Sequence, residues 1–164
     1  QAQLTAQARC DLLVQSIFQK VAMAIMNTAT AHWTGMLKDG EGTVAVGSGA
    51  VASLAYDFRK RFEGAAGTNP EELIGAAHAA CYAMFLSALM SGEGITGIDV
   101  LATATVTLDP ATEGSPTVTK SHLDVIVKGE SESGTIVALA ETAKAACPIS
   151  KLLNAEISIS VKVI

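Results

Sequence analysis

The stretch NPEELIGAAHAACYAMFLSALMSG, from Asn69 to Gly92, decides the fold. Asn69 is a capping side chain, Pro70 takes the first helical position where its missing N–H is not needed, and Glu71 and Glu72 face the positive end of the helix dipole. Between Leu73 and Met90 the only markedly polar groups are His78, Ser87 and the phenol of Tyr82. A helix that is apolar nearly all round is a buried one, so the pattern predicts a long central helix running to about Met90. Gly75, Ala76, Ala77, Ala79 and Ala80 lack bulk and allow a second helix to approach closely, and Ser91-Gly92 supplies a C-cap glycine.

Strand-like runs flank this helix on both sides. Residues 29–36 and 41–48 alternate β-branched or aromatic with small polar side chains across Lys38-Asp39-Gly40, which reads as a hairpin. Residues 51–63 mix apolar and basic groups without a period and read as a loop with a short structured piece. Beyond the helix, residues 98–108 and 117–128 alternate with a period of two across a turn built on Asp109-Pro110 and Gly114-Ser115-Pro116. A helix follows from Ser133 or Gly134 to Ala146, Pro148 starts another helical turn, and residues 156–164 alternate again as a closing strand. The class is α+β, an antiparallel sheet wrapped around a long central buried helix.

The chain has 164 residues, 49% of them hydrophobic, enough for a core in one domain. A net charge of −5 with scattered Lys and Arg leaves no footprint for nucleic acid. No apolar run approaches the roughly 20 uninterrupted residues of a membrane span, so no membrane is expected. Three widely spaced cysteines are not a disulfide scaffold, and a reducing cytoplasm fits them best. At the N-terminus, Leu12, Leu13, Ile17, Phe18, Val21 and Ile25 recur at helical spacing opposite Asp11, Gln15, Gln19 and Lys20. No basic cluster precedes them and Lys20 interrupts the apolar part, unlike a signal peptide. Residues 1–25 therefore read as an amphipathic helical extension, with Met26 a candidate natural start and residues 26–164 the domain.

Cys81 sits within the apolar helix, where desolvation raises a thiol pKa, so a cation is needed to make it reactive. Cys147 directly precedes Pro148, where one helix ends and another begins and unpaired N–H groups favour a thiolate. Taken alone, a buried thiol is better explained by packing than by catalysis, since free cysteine is among the most buried residue types. Cys10 has no visible partner and reads as a surface or packing thiol. A metal site would have to recruit His78, Cys81, Cys147 and His32 or His122 without any Cys-x-x-Cys or His-Glu-x-x-His pattern, so no metal is expected. His78 reads as a hydrogen-bonded core histidine.

The string RFEGAAGTNPEELIGAAHAACYAMFLSAL from Arg61 closely resembles the signature of the osmotically inducible protein C and organic hydroperoxide resistance (OsmC/Ohr) family. AHWTG around Trp33, GSG at Gly47, YDFRKRFEG before the helix and AKAACPISKLL around Cys147 extend the resemblance over residues 31–164. With its arginine in RFEG and its helix reading NPEELIGAAHAAC, the chain is more similar to the OsmC branch than to the Ohr branch. The resemblance implies a peroxidase with peroxidatic Cys81, resolving Cys147, Arg61 as the thiolate-stabilising cation and Glu71 as the partner of Arg61. It also implies reduction by dithiols, including lipoyl groups, and no metal or organic cofactor.

Arginine suits that role because it never deprotonates and its planar fork holds a carboxylate and an oxyanion together. Glu71 and Cys81 stand 10 residues apart on one helix, a rise of about 15 Å and an offset of about 80 degrees, so they cannot touch within it. Pairing two central helices about a twofold axis is the simplest geometry that lets Glu71 serve the thiolate, which implies an intertwined homodimer. Met84, Phe85, Tyr56 and Phe58 are candidates for an apolar substrate pocket. Two other readings compete: a non-catalytic apolar-ligand-binding module whose cysteines only pack, and a general disulfide oxidoreductase, disfavoured by the absence of Cys-x-x-Cys.

Overall fold

The computed structural model describes Ala8, Leu12, Gln15 and residues 24–111 and 114–164. Ala8, Leu12 and Gln15 are helical; Cys10 and nearly all of the expected N-terminal helix lie outside the described residues. Two compact units divide the chain, 23–73 and 74–164, the latter grouped with residues 1–22.

In the 23–73 unit, β1 (Ala29–Thr34), β2 (Glu41–Val46) and β3 (Leu54–Asp57) form an antiparallel sheet in that order. The expected hairpin is β1–β2, closed at Gly40, whose N–H donates to the Met36 carbonyl at 2.7 Å. Gly42 lies opposite both Trp33 and Tyr56, and a Cβ there would come within 2.5 Å of the Tyr56 ring. The missing side chain lets Tyr56 cross β2 and meet Trp33, with ring centroids 5.4 Å apart. The segment read as a loop contains β3 and then α1 (Phe58–Phe62). Four residues are too few to display a period, and it is pairing with β2 that makes them a strand. Asp57 starts α1 by accepting the Lys60 N–H at 2.9 Å.

The long helix is α2 (Pro70–Gly92), capped by the Asn69 side chain, which accepts the Glu72 N–H at 2.8 Å. It ends at Gly92, within two residues of the expected Met90, but the glycine that closes it is a different one. Gly94, not Gly92, takes the left-handed conformation at φ 76°, with Gly94 N–H bonded to Ser91 O and Ile95 N–H to Met90 O, a Schellman closure. By length and composition α2 is apolar enough to cross a membrane, contrary to the reading of the bare sequence. Tyr82, Leu86, Leu89 and Met90, however, lie fully inside the protein core.

That core is completed by β4 (Asp99–Asp109), β5 (Thr117–Lys128), α3 (Ser133–Ala146), α4 (Pro148–Leu152) and β6 (Glu156–Val163). Alternation along β5 turns Ser121, Leu123, Val125 and Val127 inward, against Ile136, Ala140 and Ala143 of α3 and the buried face of α2. The other face of the sheet carries Thr103, Thr105, His122 and Asp124 toward solvent. β4 and β5 are antiparallel, as expected, but β6 pairs with β5 in parallel. The departure from an all-antiparallel sheet follows from connectivity: α3 and α4 return the chain to the starting end of the sheet, and such a crossover makes the next strand parallel.

Among the small residues of α2, Gly75 serves the sheet. Gly75 faces β4, where a Cβ would stand 3.3 Å from the Ala104 carbonyl oxygen, so strand backbone approaches α2 closely. α3 meets α2 not at these small residues but through Tyr82, whose hydroxyl donates to Ala140 O at 3.0 Å. Ala76, Ala77, Ala80 and Met84 are exposed, Met84 at 76%. Among the described residues burial all round is therefore not achieved, and an apolar stripe of α2 stays open.

Candidate active site

Cys81 lies midway along α2, where the helix passes from its small-residue half to its bulky core half. Cys147 is placed by the proline after it. Pro148 disfavours helical geometry at the preceding residue, and Cys147 adopts φ −54°, ψ 129°, which stops α3 and starts α4. Its N–H still closes α3 on Ala143 O at 2.9 Å, and its carbonyl accepts the Lys151 N–H of α4 at 3.0 Å. This hinge between two helices projects the thiol into the core, where the Cys147 side chain donates to Cys81 Sγ at a sulfur–sulfur distance of 3.3 Å. Both thiols are free, Cys147 fully buried and Cys81 partly so.

Opposing influences act on the Cys81 sulfur. Burial pushes its thiol up, the Ile149 N–H donating to the sulfur pulls it down, and the Cys147 thiol adds to the rise. The net direction is upward, so the groups around Cys81 in this chain do not by themselves make it a ready nucleophile.

Arg61 and Glu71 form the second pair. Arg61 Nη2 donates to Glu71 Oε1 at 2.7 Å, and Arg61 Nε reaches both carboxylate oxygens at 3.2 Å. The guanidinium also lies 5.1 Å from the Phe62 ring centroid. Arg61 stands in the last turn of α1 and Glu71 in the first turn of α2, and both belong to the 23–73 unit. The four residues singled out in the sequence are thus joined as two pairs, thiol with thiol and guanidinium with carboxylate.

Close to the thiols, His78 is the core histidine that the sequence indicated. Its Nδ1 lies 2.8 Å from Ser121 Oγ and its Nε2 lies 2.9 Å from Ser150 Oγ. The ring is fully buried, burial holds it below the usual histidine range, and neither nitrogen is left for a metal. Sequence reasoning missed the Ile149 amide and the two serines. One signal was readable: Ser121 occupies an inward position in the alternation of β5, where a polar group needs a buried partner.

The four candidate pocket residues separate. Phe85 is in the core, Tyr56 packs on Trp33, and Phe58 packs on Phe62 with ring centroids 4.9 Å apart. Met84 alone lines an open groove, with Ala83, Ser87 and Ala88 of α2 and Ile98, Asp99 and Val100.

Comparison with known proteins places the chain among relatives. A family model described as OsmC-like protein matches residues 63–162. Proteins named Peroxiredoxin OsmC from Escherichia coli (strain K12) and Shigella flexneri are each 45% identical over 139 residues, covering 84% of this chain and 96% of their own. The solved structure of the organic hydroperoxide resistance protein OhrB of Bacillus subtilis superposes with a TM-score of 0.60 at 21% identity, over 84% of this chain and 98% of that one. An OsmC-like protein from Mycoplasma pneumoniae gives 0.64 at 17% identity, over 87% of this chain and 99% of that one. At such identities the structures speak for the fold alone, whereas the family match and the 45% identity speak for descent. The chain belongs to the OsmC-like protein family.

Proposed function

We propose that this chain is a thiol peroxidase that reduces organic hydroperoxides, and hydrogen peroxide, to alcohols and water. The observation that carries the reading is the pair of free thiols held 3.3 Å apart by elements 66 residues distant in sequence. Packing alone does not call for two sulfurs to meet, and redox chemistry does. The name Peroxiredoxin OsmC, borne by relatives at 45% identity, supports the same class.

In the reaction, the Cys81 thiolate attacks the distal oxygen of ROOH; the O–O bond breaks, ROH leaves with a proton from solvent, and Cys81 becomes a sulfenic acid. The Cys147 thiol then attacks that sulfur, forming the S–S bond and releasing the hydroxyl as water. An external dithiol, of the lipoyl type among others, restores both thiols by exchange. Because the surroundings of Cys81 push its thiol up, the mechanism assigns the thiolate a cation, Arg61, oriented by its bidentate bonds to Glu71. The active form is a homodimer in which the open stripe of α2, Ala76, Ala77, Ala80 and Met84, is covered by a second copy. Residues 26–164 act as one domain with 1–25 as an extension, and a reducing cytoplasm keeps the dithiol supplied.

Intact-mass analysis before and after one equivalent of cumene hydroperoxide tests the reading. A loss of two hydrogens, mapped to a peptide pair joining Cys81 to Cys147, is expected. An unchanged mass overturns it in favour of a ligand-binding module with packing cysteines.

A further inference from the structure

α4 is a single five-residue turn, and it carries the groups that act on Cys81: Cys147 at its start and the Ile149 amide. So short a helix has little stability of its own. Within it the buried residue is Ser150, whose hydroxyl meets His78 Nε2 at 2.9 Å. His78 precedes Cys81 by three residues on α2, so ring and sulfur project from the same side of that helix. The far nitrogen of the ring is fixed on Ser121 of β5 at 2.8 Å. A neutral imidazole has one donor and one acceptor nitrogen, so one serine donates to the ring and the other accepts from it, and both polar ends are satisfied without water. Sheet, ring and turn thereby form one chain, β5 to α2 to α4, beside the thiol pair.

We infer that His78 is a positioning residue for disulfide closure: clamped on Ser121, it holds Ser150 and so keeps the α4 turn, with Cys147 and the Ile149 amide, against Cys81. The inference rests on the peroxidase reading for its chemistry. The step it governs is attack of Cys147 sulfur on the Cys81 sulfenic acid, in which the S–S bond forms, the S–O bond breaks and the hydroxyl leaves as water with the thiol proton. His78 touches neither sulfur in that step; it sets how often the Cys147 sulfur stands within reach. Misplacement of a reacting group by about 1 Å costs up to about 100-fold in rate, so loss of one tether should be plainly readable.

The test compares wild type, Ser150→Ala and Tyr82→Phe. Tyr82→Phe removes a different buried hydrogen bond of α2, to Ala140, and so matches the stability loss without touching the tether. After one equivalent of cumene hydroperoxide, dimedone is expected to capture about tenfold more Cys81 sulfenic acid in Ser150→Ala than in wild type, with closure slowed in proportion. Tyr82→Phe is expected to close at the wild-type rate. Closure driven by diamide, without peroxide, should show the same ranking, so that a protein inert to peroxide defeats the peroxidase reading while leaving the tether open to measurement. Wild-type closure in folded Ser150→Ala, or equal slowing in Tyr82→Phe, overturns the inference. Should Ser150→Ala not fold, Ser121→Ala loosens the other end of the ring and is expected to raise capture about threefold; no rise there overturns it equally.

Discussion

Cys147 Sγ stands 3.3 Å from Cys81 Sγ, joined to it by a thiol hydrogen bond. A disulfide needs about 2.05 Å, so closure requires a shift of little more than an ångström at the hinge before Pro148 rather than a rearrangement of the fold. The reduced pair is already near its product geometry.

Substitution at the two positions should therefore separate the half-reactions. Cys81→Ser is expected to abolish peroxide consumption, whereas Cys147→Ser completes a single turnover and accumulates a dimedone-reactive sulfenic acid at Cys81. Equal peroxide consumption by wild type and Cys81→Ser ends the proposed mechanism.

Arg61→Ala removes the cation assigned to the thiolate and leaves Glu71, 9% exposed, without its bidentate partner. Alkylation of Cys81 by iodoacetamide should shift to higher pH, and peroxide reduction at pH 7 should fall about 100-fold, the scale of losing one preorganised charge-stabilising group. Arg61→Lys should recover only part of this, since an ammonium cannot reproduce the planar fork. A pH profile unmoved by Arg61→Ala removes the arginine from the mechanism.

The open stripe on α2 gives a prediction about assembly. Wild type is expected to sediment as a dimer at micromolar concentration, and Ala80→Arg, which sets a charge on that stripe, as a monomer. A monomeric wild type contradicts the twofold arrangement.

Acid should weaken the protein through His78. Burial holds the folded ring below its usual range, so as the pH falls through about 6.5 the unfolded chain takes up a proton that the folded chain refuses. The stability this group contributes is complete above that pH and is lost as the pH falls toward the folded value. Between pH 6.5 and 5.5 the unfolding free energy of wild type should drop more steeply than that of His78→Gln, followed by chemical denaturation. Parallel curves for the two proteins dispose of this account.

Much of this was legible along the chain because it depends on neighbours in sequence. Asn69-Pro70-Glu71-Glu72 starts a helix through its own caps and dipole, and α2 does begin at Pro70. Two-residue alternation marked β4, β5 and β6, and Pro148 marked the break at Cys147. Local chemistry was less legible where partners are distant: β3 exists by pairing with β2, and the parallel sense of β6 follows from the crossover through α3. The capping glycine is Gly94 rather than Gly92 because the Schellman bonds select the glycine, and two were within reach.

By itself the sequence determined a helix with too little polar surface to stand alone and two cysteines, Cys81 within it and Cys147 before a proline, while Arg61 and Glu71 were marked out by the family resemblance. Only the tertiary structure decided which of them meet. The sulfurs come together because α3 and α4 lead the chain back onto α2, the Ile149 amide and Ser150 reach Cys81 and His78 by the same return, and Ser121 meets His78 from β5. Such meetings are set by packing between elements far apart along the chain, which no local periodicity records.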